Sequence, residues 1–508
     1  MATPTVVVVG AGPTGLALAC GLRAAGVSVE VIDKAEHPSV TSRALGLQPR
    51  GSEVLDRLGA LDGLPEQSVR VAEVVTHVNG RCLARLRVGE HAKLVSRPVL
   101  VNSQAEVEAR LRRRLGELGV AVEWGQELLG ADQDRNGVTV HLTDRSVRTR
   151  WLVGCDGAHS RVRKVAGIEF PGASVAEGFL LADVRAALPL RRDTVSGWLR
   201  KDEMLGVFPL PGNDVWRLVA SAPAGGAGVV DPDQVSAVLG SALRDHARVE
   251  PAMAWDVLWT SAFRVQRRLA TGYRRGRILL AGDAAHVHSP FGGQGMNTGL
   301  GDAENLAWKL ALVVSGRAGS GLLDTYEAER RPVAREVVGA TSRVTRLVVG
   351  ESPLAQAVRD HVLVPLLNRP VVQRLLWEKS SQLRVSYRTG PLAGRLTFPW
   401  AAAGSCAGDR VPDLQCVRED GTRTRLHAEL CPGWALVAPG ADTRTQVFVD
   451  IARRRLGGGG AVAAFLSPEH GRKTMLIRPD AHLGWSGTSP AALDEWLARV
   501  LGDAPVRS

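Results

Sequence analysis

Three short stretches, far apart in the chain, end an apolar run on glycine or on an acid and a glycine. Gly10-Ala11-Gly12-Pro13-Thr14-Gly15 follows the β-branched run Thr5 to Val9, and Asp33 and Lys34 stand further on. Cys155-Asp156-Gly157 follows Trp151 to Gly154. Gly282-Asp283 follows Ile278 to Ala281 and leads past His286 and His288 into Ser289-Pro290-Phe291-Gly292-Gly293-Gln294-Gly295-Met296-Asn297. Glycines at the first spacing permit a tight turn, close approach of a pyrophosphate and close helix–strand packing. The helix that follows offers its N-terminal N–H groups to an anion. Asp33 sits at the spacing of a ribose acceptor, where each charged hydrogen bond contributes about 1.5–3 kcal/mol. An acid there suits FAD or NAD better than NADP. At the third stretch, the Asp283 carboxylate and the N–H groups of Gly295, Met296 and Asn297 ask for a different ligand part. It offers hydroxyls on one side and a developing negative charge on the other.

Other residues could join these sites. A carboxylate at Asp156 tolerates a nearby pyrophosphate only with a cation between them; Arg43 is the natural bridge and Arg163 a second. The alternative for Asp156 is an ordinary turn after a strand. Gln104 reads either as a helix-start residue or as a polar hand for a sugar. His288 is conceivable as a base, with a structural role as its alternative. His286 and His288 lack a third metal ligand.

The elements that must position these residues follow from periodicity. Strand, glycine turn, helix to Gly26, and the strand Val27 to Ile32 form one nucleotide-binding unit. A helix is expected from Gln48 to Gly59, strands at Val120–Trp124 and Val138–Leu142, and a hairpin at Asp134–Gly137. Between 173 and 265 the pattern becomes antiparallel sheet, with strands at Phe179–Val184, Ser196–Leu199, Leu205–Leu210 and Val215–Val219. Trp198, Phe208 and Trp216 are candidate pocket walls, with core packing as the competing role. Long helices are expected from Leu300 to Trp308 and from Thr325 to Arg346. Ser489-Pro490 opens a last helix that turns Leu493, Trp496, Leu497, Val500 and Leu501 inward.

Bulk properties exclude several classes. The 508 residues are 45% hydrophobic, a globular composition. The net charge of +11 comes from scattered arginines. The run Arg112–Arg114 reads as the wet side of a helix whose apolar face is Val107, Leu111, Leu115 and Leu118, so no nucleic-acid partner is expected. The six cysteines show no CxxC and no metal-ligand spacing, as in a reduced cytosolic protein. The apolar N-terminus lacks a basic region and is broken by glycines, unlike a signal peptide. No membrane partner and a cytoplasmic location are expected.

The three fingerprints together resemble those of the single-component (class A) FAD-dependent aromatic hydroxylases, the family of p-hydroxybenzoate and phenol hydroxylase, over residues 1 to about 345. That resemblance implies an α/β fold: a discontinuous FAD-binding, glutathione-reductase-type Rossmann-like domain (1–70, 97–172, 266–345). An inserted antiparallel β substrate domain (71–96, 173–265), a helical linker (346–395) and a thioredoxin-like C-terminal domain without CxxC (396–508) would complete it. It implies that FAD is contacted by Gly10, Gly12, Thr14, Gly15, Asp33, Lys34, Arg43, Gln104, Asp156, Gly157, Asp283, Pro290, Gly293, Gly295, Met296 and Asn297, with Pro290 near the reacting edge. NADPH or NADH would dock transiently, and O2 and a small aromatic substrate would meet a C4a-hydroperoxyflavin. The C-terminal unit resembles that of the aromatic polyketide hydroxylases, which implies hydroxylation of a polycyclic substrate in antibiotic biosynthesis. Baeyer–Villiger insertion, epoxidation and antibiotic inactivation share these motifs. A flavin-binding assembly partner without turnover is the non-enzymatic alternative. A monomer or homodimer is expected.

Overall fold

The computed structural model describes residues 4–41, 44–88, 97–200, 203–222, 231–249, 255–288, 293–349, 357–358, 361–362, 366, 368–393, 406–431, 433–440, 442–457, 462–466 and 473–502. The first sheet has six strands in the order Arg274–Arg275, Ile278–Leu280, Trp151–Gly154, Val6–Val9, Val29–Asp33, Val122–Trp124. All pair in parallel except the short edge strand Arg274–Arg275. Val6–Val9 lies between two partners and is buried at every position, which is why it is apolar without alternation. The helices Pro13–Ala24 and Gly295–Val314 pack together in the same core. The sheet order therefore brings the ends of three strands, and the three glycine-bearing stretches after them, side by side.

The second sheet has eight strands and is otherwise antiparallel, with one parallel pair between Thr194–Arg200 and Glu73–Val78. Alternation separates its two faces. Leu180, Trp198, Leu205, Trp216 and Leu218 pack against Val235 and Leu239 of the helix Pro232–Ala242. Val74, Val195 and Val215, one position out of phase, pack instead against Val71, Val99, Val101 and Trp377. That second face looks toward the nucleotide unit, because Leu100–Val101 pairs with Gly46–Leu47. The short strand His286–Val287 pairs with Arg268 and Leu269, so the chain just after Asp283 is fastened to this sheet.

The C-terminal unit is a mixed six-stranded sheet with the helices Thr443–Leu456 and Pro490–Leu501. Ser489 caps the last helix, and Leu493, Trp496, Leu497, Val500 and Leu501 are buried, as the sequence pattern predicts. The sheet strand Trp434–Ala438 is divided between two cores. Trp434, Leu436 and Ala438 join the core of the nucleotide unit, while Ala435 and Val437 face the unit's own core. Trp308 meets Trp434 edge to face at 5.2 Å.

Buried ion pairs cross the same boundary. Glu329 accepts from Lys309 at 2.7 Å and from both terminal nitrogens of Arg478 at 2.8 Å. Asp480 accepts from Arg478 at 2.9 Å, Asn305 at 3.1 Å and Trp308 at 3.2 Å. Arg50 and Arg57 bind Glu304 at 2.9 and 2.6 Å, and Arg410 binds Glu53. Charges this deep are tolerable only because each is paired and hydrogen-bonded. The triplet Arg112–Arg114 is not a single wet face. Only Arg113 is fully exposed, and Arg114 reaches back to the Leu58 carbonyl at the end of the helix Pro49–Leu58.

Candidate functional site

The glycine turn is shaped by backbone contact. Gly10 has φ +105°, and a Cβ there would lie 2.3 Å from the Cys155 carbonyl oxygen. A Cβ on Gly15 would lie 1.9 Å from the Gly10 carbonyl oxygen. The first and second fingerprints thus touch through main chain alone. Thr14 binds the third: a Cβ on Gly282 or on Gly299 would lie 2.5 or 2.2 Å from its Oγ1. By contrast, a Cβ on Gly12 or Gly157 would meet no protein atom within 4 Å, so both backbones border open space.

Asp33 accepts from the Ala11 N–H at 2.7 Å and the Ala35 N–H at 2.9 Å, which fixes the acid against the turn. Lys34 is exposed beside it. Asp156 uses both carboxylate oxygens locally, taking Ser160 Oγ at 2.5 Å, Arg161 N–H at 2.6 Å and Val162 N–H at 3.1 Å. These bonds start the helix Arg161–Val165. Arg163, the second candidate bridge, is engaged within the protein. It donates to the Ala284 and Ala158 carbonyls, both at 2.9 Å, and lies over Phe170. Gln104 is the first residue of the helix Gln104–Glu117, with Ser103 as the cap, and its amide donates to Glu108 at 2.8 Å. Arg43 and Pro290 lie outside the described residues.

Asp283 is exposed, although Gly282 and Ala284 on either side are buried. The protein crowded around it drives its carboxyl up, against the pull of His286 and with the help of Asp302. Asp283 is thus the accessible polar group of an otherwise buried turn. Across from it begins the helix Gly295–Val314, whose first N–H groups no helical carbonyl can use. The Asn297 side chain is fully buried and clamps this start. Its Nδ2 donates to Gly293 O at 2.7 Å and Gly46 O at 2.9 Å, and its Oδ1 accepts from Gln48 N–H at 2.9 Å. Met296 packs on the core.

Several residues of the site lacked a motif. Asp302 accepts from Gly282 N–H at 3.1 Å, His286 Nε2 at 2.6 Å and Arg330 Nε at 2.7 Å. Burial raises its carboxyl, but His286 and Arg330 outweigh burial and hold it below the usual range. His286 is therefore a structural partner of Asp302. Gln382, from the segment before the C-terminal sheet, donates to Thr298 Oγ1 at 3.0 Å. The readable signal was charge inside an apolar helix, at Asp302, Glu304 and Lys309; Gln382 had none.

Of the three aromatic candidates, Trp198 and Trp216 are core residues. Strand alternation turns both into the core under the helix Pro232–Ala242, where Trp216 Nε1 donates to Ala186 O at 3.0 Å. Phe208 stands on the opposite face, in register with Arg217.

Parallel strands that end on glycine turns, with an acid after the second strand held against the first turn, define a dinucleotide-binding protein. The chain belongs to the family described as FAD binding domain, whose model matches residues 3–341. It is 37% identical to 6-methylpretetramide 4-monooxygenase of Streptomyces rimosus, covering 99% of this chain and 88% of the relative. It is 36% identical to rifampicin monooxygenase of Streptomyces venezuelae over 95% of each chain. Among solved structures, the anhydrotetracycline hydroxylase of Streptomyces rimosus superposes with a TM-score of 0.80 at 32% identity, covering 99% of both chains. No helix among the described residues is long and apolar enough to cross a membrane.

Proposed function

We propose that this flavoprotein is a monooxygenase that hydroxylates a polycyclic aromatic substrate of polyketide type, with NADPH or NADH as transient reductant and O2 as co-substrate. The observation that carries this reading is Asp283, crowded yet accessible, facing the start of the helix Gly295–Val314. The chemistry would be supplied by bound FAD: two electrons from the nicotinamide and one atom of O2 to an electron-rich carbon, the other atom leaving as water. The chain's own residues hold and orient it. Asp33 accepts from the ribose, and the open backbones at Gly12 and Gly157 admit the pyrophosphate. Asp283 accepts from the ribityl hydroxyls. The N–H groups of Gly295, Met296 and Asn297, at the helix start, would stabilise negative charge developing on the flavin. The sheet face that carries Phe208 covers the opposite side and excludes water.

The similarity to enzymes named for 6-methylpretetramide and anhydrotetracycline supports a fused-ring phenol as substrate. The similarity to rifampicin monooxygenase favours a second reading, modification of a finished antibiotic. One experiment tests both. NADPH oxidation by the FAD-loaded protein is followed with a panel of polycyclic phenols and with rifampicin, and products are weighed by mass spectrometry. The expected result is a stimulated rate with a polycyclic phenol and a product one oxygen atom heavier. Stimulation by rifampicin alone selects the second reading, and no stimulation by any member overturns both.

A further inference from the structure

The first turn of the helix Gly295–Val314 is gripped from outside by the segment that leads into the C-terminal unit. Gln382 Nε2 donates to Thr298 Oγ1 at 3.0 Å and to Gln294 O at 3.4 Å. Thr298 Oγ1 in turn donates to Gln294 O at 2.8 Å. Gln382 is buried and holds φ +59°, a left-handed conformation that a glutamine adopts only when its surroundings impose it. They do so here: Ser381 O accepts from Arg50 N–H and Gln382 O from Val385 N–H, both at 3.3 Å.

A second grip runs in parallel. Tyr387 Oη accepts from Arg330 at 3.0 Å. Arg330 donates to Thr298 O at 2.9 Å and to Asp302 at 2.7 Å, and Asp302 accepts from Gly282 N–H at 3.1 Å. Gly282 is the residue before Asp283. Tyr387 is itself held by the C-terminal unit: its N–H donates to Gly408 O at 2.7 Å, and its ring lies 4.2 Å from that of His482 and under the Arg478 guanidinium. Both ends of the flavin cradle, the helix start and the Gly282-Asp283 turn, are thereby tied to a domain that contributes no motif to it.

We infer that Gln382 and Tyr387 are positioning residues for the bound flavin, through which the C-terminal unit sets the orientation of the cradle N–H groups. The inference rests on the flavin reading above. Its test uses two variants of the full chain. Gln382→Gly removes the amide but accepts the left-handed backbone at least as well as glutamine does. Tyr387→Phe keeps the ring on His482 and removes only the oxygen. For each, the thermal midpoint of the FAD-free protein, the FAD dissociation constant by flavin fluorescence, and the midpoint potential of the bound flavin are measured.

Roughly tenfold weaker FAD binding is expected for Gln382→Gly, the loss that follows from breaking hydrogen bonds to one buried site. A smaller weakening is expected for Tyr387→Phe. In both, the potential moves, and the FAD-free midpoint falls by no more than the lost hydrogen bonds account for. Unchanged FAD affinity and potential in either folded variant overturns the inference. So does weaker binding that merely follows a lower midpoint with the potential unmoved, because that is a structural role alone. If Gln382→Gly does not fold, Tyr387→Phe decides. Failure of the unaltered protein to bind FAD at all overturns the flavin reading instead.

Discussion

The glycine turn at Gly10–Gly15 and the start of the helix at Gly295 are two parts of the proposed flavin site and are built in opposite ways. The turn is made by missing side chains, and Gly10, Cys155 and Gly15 meet through main chain. The helix start is made by side chains: its own Asn297, and Arg330 and Gln382 from elsewhere, each grip carbonyls or hydroxyls around one turn. The first design tolerates no added atom. The second tolerates change in proportion to the hydrogen bonds lost.

That contrast is open to being broken. Gly10→Ala puts a methyl 2.3 Å from a carbonyl oxygen at φ +105°. A loss of about 3 kcal/mol or more is expected from clash and strain together, with no retained flavin. Urea denaturation and visible absorbance check it, and a stable yellow variant would refute the close-packed turn. Asp283→Ala should leave the urea midpoint in place but weaken FAD binding by tens-fold or more, since each charged hydrogen bond contributes about 1.5–3 kcal/mol. Normal flavin content in that variant rejects the ribityl assignment. Asn297→Ala loses bonds to Gly46, Gly293 and Gln48. At about 1 kcal/mol each, it should cost about 2–3 kcal/mol of stability and weaken FAD binding less than Asp283→Ala does.

The clamped region also carries the buried groups that titrate. Burial holds His427 and His482 below their ordinary 6.5, so the folded protein keeps them neutral. Below pH 6.5 the unfolded chain takes up protons that the folded chain refuses, and stability falls as pH drops. Glu53, Glu329, Asp302 and Asp480 lie below their ordinary values because their cationic partners outweigh burial. Their contribution is complete above about pH 5 and is lost on further acidification. Urea midpoints from pH 8 to 4 should therefore be flat at first and then fall from about pH 6.5 downward, more steeply below about 4.5. A midpoint that rises on acidification from pH 7 to 5 contradicts this. The smallest effects separate the sheet faces. Phe208→Ala should raise the KM for the aromatic substrate several-fold, whereas Trp198→Phe, under the helix Pro232–Ala242, should leave KM unchanged and cost about 1 kcal/mol of stability.

The same contrast explains what the sequence discloses. The strands Val6–Val9 and Trp151–Gly154 are apolar throughout, and the Asp134–Gly137 hairpin is a local hydrogen-bonding event. Such features are written within a few residues. The long strand Asp256–Leu269 is not, because its burial is partial along most of its length and its arginines interrupt any alternation. The site divides likewise. Glycine spacing announces Gly10 to Gly15 and Asp283. Gln382 meets Thr298 across 84 residues of chain, and nothing local at either end marks the other. The orientation of Trp198 and Trp216 depended on strand phase, which composition does not reveal.

The sheet order has a consequence for synthesis. Val6–Val9 leaves the ribosome first and finds Val29–Asp33 at once, but its other neighbour is Trp151–Gly154, and beyond that stands Ile278–Leu280. Such distant pairings must await the later segments and the entropy of closing long loops. No nascent chain that stops short of Asp283 has a complete flavin site.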